Sequence, residues 1–368
     1  MRWTIYIDLD AYYVSCERRE RPDLAGRPVI VGADPRRGPT RGVVLSASYE
    51  ARASGVRSAM PVGIAARLCP EATWVAPDFE KYERVAQEVR EFLGKRFERI
   101  APLSIDEAAI SVELPGASEA EAVARNLQRE IESEMRLPCS IGVAVSRTIA
   151  KIATDKAKPG GVVVVAPERT VDFLAPLSVR AIPGVGPKTA EHLQSVGIST
   201  IGELRSLPPS ARRHLGRFAD ELHRIALGEP DPASEESGSG PRSRSTDHTF
   251  DRDASEAPEV LEAIDRLSDE LAKTLERDQL RYRTVTIGLR WEDFQRVQRS
   301  RTLPGLQEGP EALRRNARRL FGELWESEAR GAGRKLRTVS VAVEKLSEAS
   351  DRQVRLDQYE PGRSSTVK

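Results

Sequence analysis

The chain has 368 residues, 39% of them hydrophobic and 31% charged, with a formal net charge of +1. That length allows two or three domains with real cores, and the near-neutral charge means that any nucleic-acid surface must come from segregation of charge within the fold. No apolar run approaches the roughly 20 residues that a membrane span needs. No signal peptide opens the sequence, and three widely separated cysteines (Cys16, Cys69, Cys139) argue against a disulfide framework or zinc site and for a reducing, cytoplasmic setting.

Trp3 to Asp10 alternates with period two. Ile5, Ile7 and Leu9 face one way and Tyr6, Asp8 and Asp10 the other, which predicts a strand with one acidic face. Short strands are expected over Arg27–Gly32 and Gly42–Ala47, separated by a turn at Asp34–Pro39. Apolar residues at helical spacing predict helices over Lys81–Phe97 and Ala120–Met135, with a strand pair around Leu103–Val112 between them. A strand at Ser140–Val145, a helix from Arg147, a stop at Pro159-Gly160-Gly161 and a strand at Val162–Ala166 follow. Strands and helices mix without strict alternation, so the expected class is α+β with a split βαβ-like sheet.

Residues 170–228 read as short helical segments, and Gly228–Ser245, rich in Gly, Pro and Ser, reads as an exposed linker. Beyond it, alternation over Arg283–Arg290 and Thr338–Val343 predicts a smaller α+β domain whose sheet has one apolar and one polar face. From Arg277 to Lys345 there are roughly sixteen Lys plus Arg against about nine acids, a local basic excess.

Asp8 on the first strand, and Asp106-Glu107 in the strand pair, are the sharpest chemical signal. Acids embedded in apolar strands are costly unless a cation compensates them, although each taken singly also reads as a strand-end surface residue. Several such acids converging on one site suit two Mg²⁺ ions for in-line phosphoryl displacement. A regular strand would send Asp106 and Glu107 to opposite faces, so convergence requires the strand to bend or end there. On the acids, three function classes compete: a polymerase, a non-catalytic DNA-binding scaffold and a two-metal nuclease.

Four segments in order narrow the choice: Asp8-Leu9-Asp10-Ala11-Tyr12-Tyr13, Ser46-Ala47-Ser48-Tyr49-Glu50-Ala51-Arg52, Ser104-Ile105-Asp106-Glu107-Ala108, and Lys151-Ile152-Ala153 with Asp155 and Lys158-Pro159. Their order and spacing resemble the motifs of Y-family DNA polymerases, nearest the DNA polymerase IV branch, over Met1 to about Lys345. The sequence departs from the family pattern at Ala109, where an aromatic is usual, and at Ser48, where Asn is frequent. The resemblance implies a right hand: a palm at 1–11 and 79–168, fingers at 12–78, a thumb at 169–230, a linker at 231–245, a little finger at 246–345 and a tail beyond. It implies a low-fidelity, template-directed, translesion DNA polymerase that works as a monomer on primer–template DNA and deoxynucleoside triphosphates. Asp8, Asp106 and Glu107 would be its catalytic, Mg²⁺-binding acids, joined by the Leu9 carbonyl.

For the nucleotide, the resemblance implies Tyr12, Tyr13, Ser46, Tyr49, Arg52 and Lys158, with Tyr13 as the steric gate against a ribose 2′-hydroxyl. The residue chemistry agrees. Tyr49 and Arg52 are three apart, so a helix puts them on one face, a hydroxyl beside a planar guanidinium fork. A helix opening at Tyr12 and Tyr13 offers free amides to an anion. Ile182-Pro183-Gly184-Val185-Gly186-Pro187-Lys188 resembles a helix–hairpin–helix turn, whose Gly184, Gly186 and Lys188 would meet DNA phosphates without reading sequence. In the tail, Gln353, Leu356 and Tyr359 resemble a sliding-clamp docking peptide.

Overall fold

The computed structural model describes residues 1–38, 40–231, 241–328 and 333–348. The chain divides into two compact units, Met1–Ser234 and Glu235–Lys368.

The first unit is built on a five-stranded sheet. Its strands are β1 (Arg2–Leu9), β5 (Ile100–Pro102), β6 (Glu107–Glu113), β7 (Cys139–Ala144) and β8 (Val162–Val164), in the order β5-β6-β1-β7-β8. β1 lies at the centre, antiparallel to both neighbours, while β7 and β8 run parallel. Period two divides the sheet as the sequence predicts. Ile5, Ile7 and Leu9 join Ile110, Ile141 and Val143 in a core shared with α4 (Phe79–Gly94) and α5 (Ala117–Glu130). Tyr6, Ala109 and Ala144 face the other way, against α6 (Arg147–Ala157). That helix lies close because Gly142 of β7 has no side chain: a Cβ there would sit 2.1 Å from the Ala150 carbonyl oxygen.

Between β1 and α4 the chain forms α1 (Tyr12–Glu20) and a small three-stranded sheet of β2 (Val29–Val31), β3 (Ser46–Ala47) and β4 (Thr73–Val75) in the order β3-β2-β4. Two helices, α2 (Tyr49–Ala53) and α3 (Val62–Leu68), complete it around a separate core of Ile30, Val44, Ala47, Ala51, Val56 and Val62. The strand expected over Gly42–Ala47 contracts to its last two residues; Val43 makes only an isolated bridge to Pro61. After β8 come α7 (Thr170–Leu174), α8 (Pro187–Ser195), α9 (Pro209–Leu215) and α10 (Arg217–Ala226), whose inward residues Leu174, Leu193, Ala211 and Leu222 join the core beneath α6.

The second unit is a four-stranded antiparallel sheet in the order β11-β10-β12-β9. Its elements are β9 (Ser243–Ala254), α11 (Ala257–Arg277), β10 (Leu280–Trp291), β11 (Arg296–Gln307), α12 (Pro310–Glu328), β12 (Leu336–Glu344) and a short β13 (Ser347–Glu348) on β10. Ser243–Ser245, expected in the linker, are the first residues of β9, and Ser347–Glu348, expected in the tail, pair with Arg281 and Leu280. Val285, Ile287, Leu289, Val339, Val341 and Val343 point to the two helices. The opposite face carries hydroxyl pairs, Thr284–Thr302 at 2.9 Å and Thr286–Ser300 at 2.8 Å, beside the cross-strand pair Arg290 and Arg296.

Much of the basic excess is neutralised locally. Arg299 and Arg301 stand opposite Ile287 and Val285, hence on the helix side, and both pair with Glu323. Arg314 pairs with Asp269 and Arg318 with Asp265.

Candidate active site

Asp8 of β1 and Glu107 of β6 are direct cross-strand partners, so their side chains share a face. Asp8 is only 4% exposed, and two carboxylates so placed repel unless a cation stands between them. Two lysines supply the positive charge. The Lys151 ammonium lies 3.0 Å from Asp8 Oδ2, 2.7 Å from Glu107 Oε1 and 2.9 Å from Asp155 Oδ1, and that of Lys158 lies 2.5 Å from Asp8 Oδ2. Burial alone would lower the pKa of Lys151, but its bond to Glu107 and the charges of Asp8 and Asp155 outweigh this and raise it above the usual lysine range. Tyr6, on the same face, has its hydroxyl pushed upward by burial and then by Glu107.

Asp106 precedes the strand rather than belonging to it. β6 begins at Glu107, and the turn before it is closed by Leu103 N–H donating to the Glu107 carbonyl at 3.0 Å. The opposite-face rule therefore does not separate the two acids. Ser104 Oγ donates to Asp106 Oδ1 at 2.6 Å, and Leu9 N–H donates to the Asp106 carbonyl at 2.9 Å. Burial, and then the charge of Asp106, raises the pKa of the Tyr13 hydroxyl.

The structure thus brings Asp8 and Glu107 together and sets Asp106 at the adjoining bend. Among the described residues no group of three or more His, Cys, Asp or Glu side chains is already arranged around a metal position. The donor chemistry nevertheless fits hard divalent cations, since the acids offer only oxygen and their charge here is met by ammonium groups standing in for a cation.

Beside the acids the chain turns through Ala11, a non-glycine residue held left-handed at φ 45°, ψ 46°, into α1, whose first turn has no side-chain cap. Tyr12 and Tyr13 then part company. Tyr12 is 3% exposed, and its hydroxyl donates to the Tyr82 carbonyl at 2.6 Å, so this side chain belongs to the core. Tyr13 stays partly exposed, stacked on Tyr82 at 4.3 Å between centroids and edge-on to Phe79 at 6.2 Å.

Ser46 is buried at the start of β3, and Ser48 caps α2 by accepting from Ala51 N–H. The Tyr49 hydroxyl, expected as a phosphate donor, donates instead to Asp10 Oδ1 at 2.9 Å. Arg52 lies over the Tyr49 ring at 4.6 Å and donates through Nε to the Ala47 carbonyl at 2.9 Å. Its two terminal nitrogens have no hydrogen-bond partner among the described residues, which leaves the guanidinium fork free.

Sequence reasoning placed Asp10 on the acidic face without giving it a role, and it quoted Lys151 and Asp155 only as motif letters. Asp10 is 2% exposed and accepts from the Tyr49 hydroxyl, from Ser140 Oγ at 2.9 Å and from Gly160 N–H at 2.8 Å. Its period-two spacing from Asp8 was the available signal. The sequence marked Ser140 only as a strand start and Gly160 only as part of a stop, not as donors to Asp10.

Comparison with known proteins adds to this geometry. The impB/mucB/samB family matches residues 7–155, and that family's C-terminal domain matches residues 241–356. DNA polymerase IV of Methanoculleus marisnigri is 39% identical over 97% of this chain and 98% of its own. DNA polymerase IV of Xanthomonas euvesicatoria pv. vesicatoria is 39% identical over 82% of this chain and 83% of its own. Among solved structures, a Y-family DNA polymerase chimera of Dbh and Dpo4 superposes with a TM-score of 0.84 at 24% identity, covering 94% of this chain and 99% of that one. DinB from Sulfolobus solfataricus gives 0.61 at 24% identity, covering 93% and 98%. The chain belongs to the Y family, in its DNA polymerase IV branch.

All three acids, the nucleotide-side residues from Tyr12 to Arg52, and Lys151 fall in the first matched segment; Lys158 lies just beyond it. The fold is that of a Y-family polymerase, a mixed α+β hand. The hairpin glycines fall outside both segments. Gly184 has φ +89°, where a side chain would be strained, and Gly186 is the N-cap residue of α8, with Pro187 in its first turn and Lys188 exposed. The segment before the hairpin is a single 3₁₀ turn, Val179–Ala181, rather than a full helix. Gln353, Leu356 and Tyr359, the expected clamp-docking residues, lie outside the described residues. No helix among the described residues is long and apolar enough to cross a membrane.

Proposed function

We propose that this protein, a DNA-directed DNA polymerase by family, extends primers at damaged template positions with low fidelity, by a two-metal mechanism centred on Asp8, Asp106 and Glu107. The observation that carries the reading is the cross-strand pair of buried Asp8 and partly exposed Glu107 at a sheet end, with Asp106 at the adjoining bend. An uncapped helix start and a free arginine fork stand in the same unit. A nuclease would share the acids but would have no use for Tyr13, Arg52 and Lys158 together.

Asp8, Asp106 and Glu107, with the Leu9 carbonyl, would hold the two Mg²⁺ ions. When bound, such ions make the primer 3′-hydroxyl a stronger nucleophile and neutralise charge on the triphosphate and the departing pyrophosphate. The chain's own groups bind and orient. The first amides of α1, at Tyr12 and Tyr13, present a positive dipole end to the phosphates. Arg52 offers two donors to phosphate oxygens, and Lys158 an ammonium that rests on Asp8. The Tyr13 ring, braced from behind, fills the place of a 2′-hydroxyl, so ribonucleotides are refused by a clash.

Residues 1–11 and 79–168 make the palm in this reading, 12–78 the fingers and 169–230 the thumb, with the little finger beginning at Ser243, where β9 starts. The separate core around Ile30 and Val62 supports the fingers as a module. DNA is gripped through the turn of Gly184 and Gly186, whose Gly186 N–H closes the turn on the Gly184 carbonyl at 3.2 Å, through Lys188, and by the hydroxyl-rich sheet face of the second unit.

Asp106→Ala tests this directly. It should abolish primer extension while leaving primer–template affinity within a few-fold, because the acid serves the metal and other segments hold DNA. Near-normal turnover in that variant would remove the reading.

A further inference from the structure

We infer that Asp10 is a positioning residue of the nucleotide site, which fixes the Arg52 side of the pocket and the Lys158 loop to the strand that carries Asp8. The inference rests on the function proposed above and deepens it.

Asp10 is as deeply buried as Asp8 but is solvated differently. Asp8 meets two ammonium groups, whereas Asp10 makes no ion pair among the described residues and relies on neutral donors alone. Those donors come from three separate segments. Tyr49 lies 39 residues away on α2, Ser140 lies 130 away on β7, and Gly160 lies 150 away in the loop that follows Lys158. A fourth bond, from Ser15 Oγ to the Asp10 main-chain carbonyl at 2.6 Å, ties the same residue to α1. A buried carboxylate is tolerated only when its bonds are made, so each donor is held in place by the cost of leaving the charge unsatisfied.

The consequences run to the phosphate-binding groups. The Tyr49 ring, anchored through its hydroxyl, is the surface on which the Arg52 guanidinium rests at 4.6 Å. The Gly160 amide, anchored at 2.8 Å, sets where the chain leaves Lys158. One carboxylate therefore fixes both cationic arms relative to the start of α1, which follows Asp10 by two residues. Its role is geometric: Asp10 touches the residues that hold the Arg52 and Lys158 arms rather than the triphosphate itself.

Asp10→Asn is the informative substitution, because it keeps shape while converting one acceptor oxygen into a donor. The Gly160 N–H takes the remaining oxygen, so the amide nitrogen faces the Tyr49 hydroxyl, which must reverse from donor to acceptor, and the charge-assisted bond that anchors the Tyr49 ring becomes a weaker neutral one. Steady-state primer extension should show KM for the incoming deoxynucleotide rising roughly tenfold or more, with kcat falling only about threefold. Primer–template affinity and the Mg²⁺ concentration giving half-maximal rate should stay within about twofold of wild type. Tyr49→Phe, which removes one bond and leaves the carboxylate, should raise KM in the same direction and carries the test if Asp10→Asn does not fold. The double variant should show less than the product of the two effects, because both act through one contact.

An unchanged KM in an active, folded Asp10→Asn enzyme would overturn the inference and leave the proposed function standing. A large rise in Mg²⁺ requirement without a change in KM would overturn it too, by making Asp10 a metal ligand. Failure of the wild-type protein to extend a primer would sink the proposed function and this inference with it.

Discussion

The role proposed for Tyr13 depends on what stands behind its ring. Its ring is held by a stacked Tyr82 and an edge-on Phe79, while the neighbouring Tyr12 is turned into the core. Tyr13→Ala should therefore lower discrimination between the deoxy and ribo forms of one nucleotide by about tenfold or more, a difference of about 1.4 kcal/mol per factor of ten. The ratio of kcat/KM values measures it, and unchanged discrimination would return Tyr13 to a packing role. At the same scale, burial pushes the Cys16 thiol up to about 12 and also raises those of Cys69 and Cys139. Iodoacetamide at pH 8 should label none of the three cysteines in the native protein and all three after unfolding. Asp8 and Glu107 were legible as candidates because acids within apolar strands are anomalies, and Asp106 stood beside them in the sequence. The bonds of Ser140 and Gly160 to Asp10 were not, since a strand-start serine and a glycine in a stop reach it only through sheet pairing and a loop.

Elements were readable in proportion to their amphipathicity. The helices predicted over Lys81–Phe97 and Ala120–Met135 form as α4 and α5, the second ending in a π turn over Ile131–Met135. β9 escaped because it is an edge strand in which only Phe250 and Ala254 are buried, leaving little alternation to detect. Invisible too was the joint between α1 and α4. Glu17, 3% exposed, accepts from the Lys81 ammonium at 3.0 and 2.9 Å and from the Tyr82 hydroxyl at 2.8 Å. Glu17→Ala leaves the Tyr82 hydroxyl without its buried acceptor and the Lys81 ammonium with only the exposed Glu20 at 3.2 Å, and should cost about 3 kcal/mol. The melting temperature should fall by roughly 6–12 °C, and an unchanged melt would show that the joint contributes nothing. The start of α6 has a distant cap in Asp231, which accepts from Ser146 Oγ at 2.9 Å, Arg147 N–H at 2.5 Å and Thr148 Oγ1 at 3.1 Å. Asp231→Ala should destabilise the first unit by about 1 kcal/mol, read from urea unfolding.

At the scale of the molecule, separate hydrophobic cores predict separable folding. A fragment ending at Gly240 should be soluble, bind primer–template more weakly and still add nucleotides under saturating DNA; an insoluble or inert fragment would contradict the division into units. The basic excess of the second unit was legible as a count but not as a surface, because strand register sends Arg299 and Arg301 to the helix side and ion pairs absorb others. The central claim, that the acids of the first unit perform nucleotidyl transfer, is tested most directly by single-turnover addition of one deoxynucleotide to a primer. The wild type, Asp8→Asn and Glu107→Gln would be compared in Mg²⁺ and after chelation. Wild type should extend in Mg²⁺, stop on chelation and resume when Mg²⁺ is restored, while each variant falls by roughly a thousandfold with its melting temperature and primer–template affinity retained. Extension by wild type in the presence of chelator, or near-wild-type rates in either variant, would contradict the account.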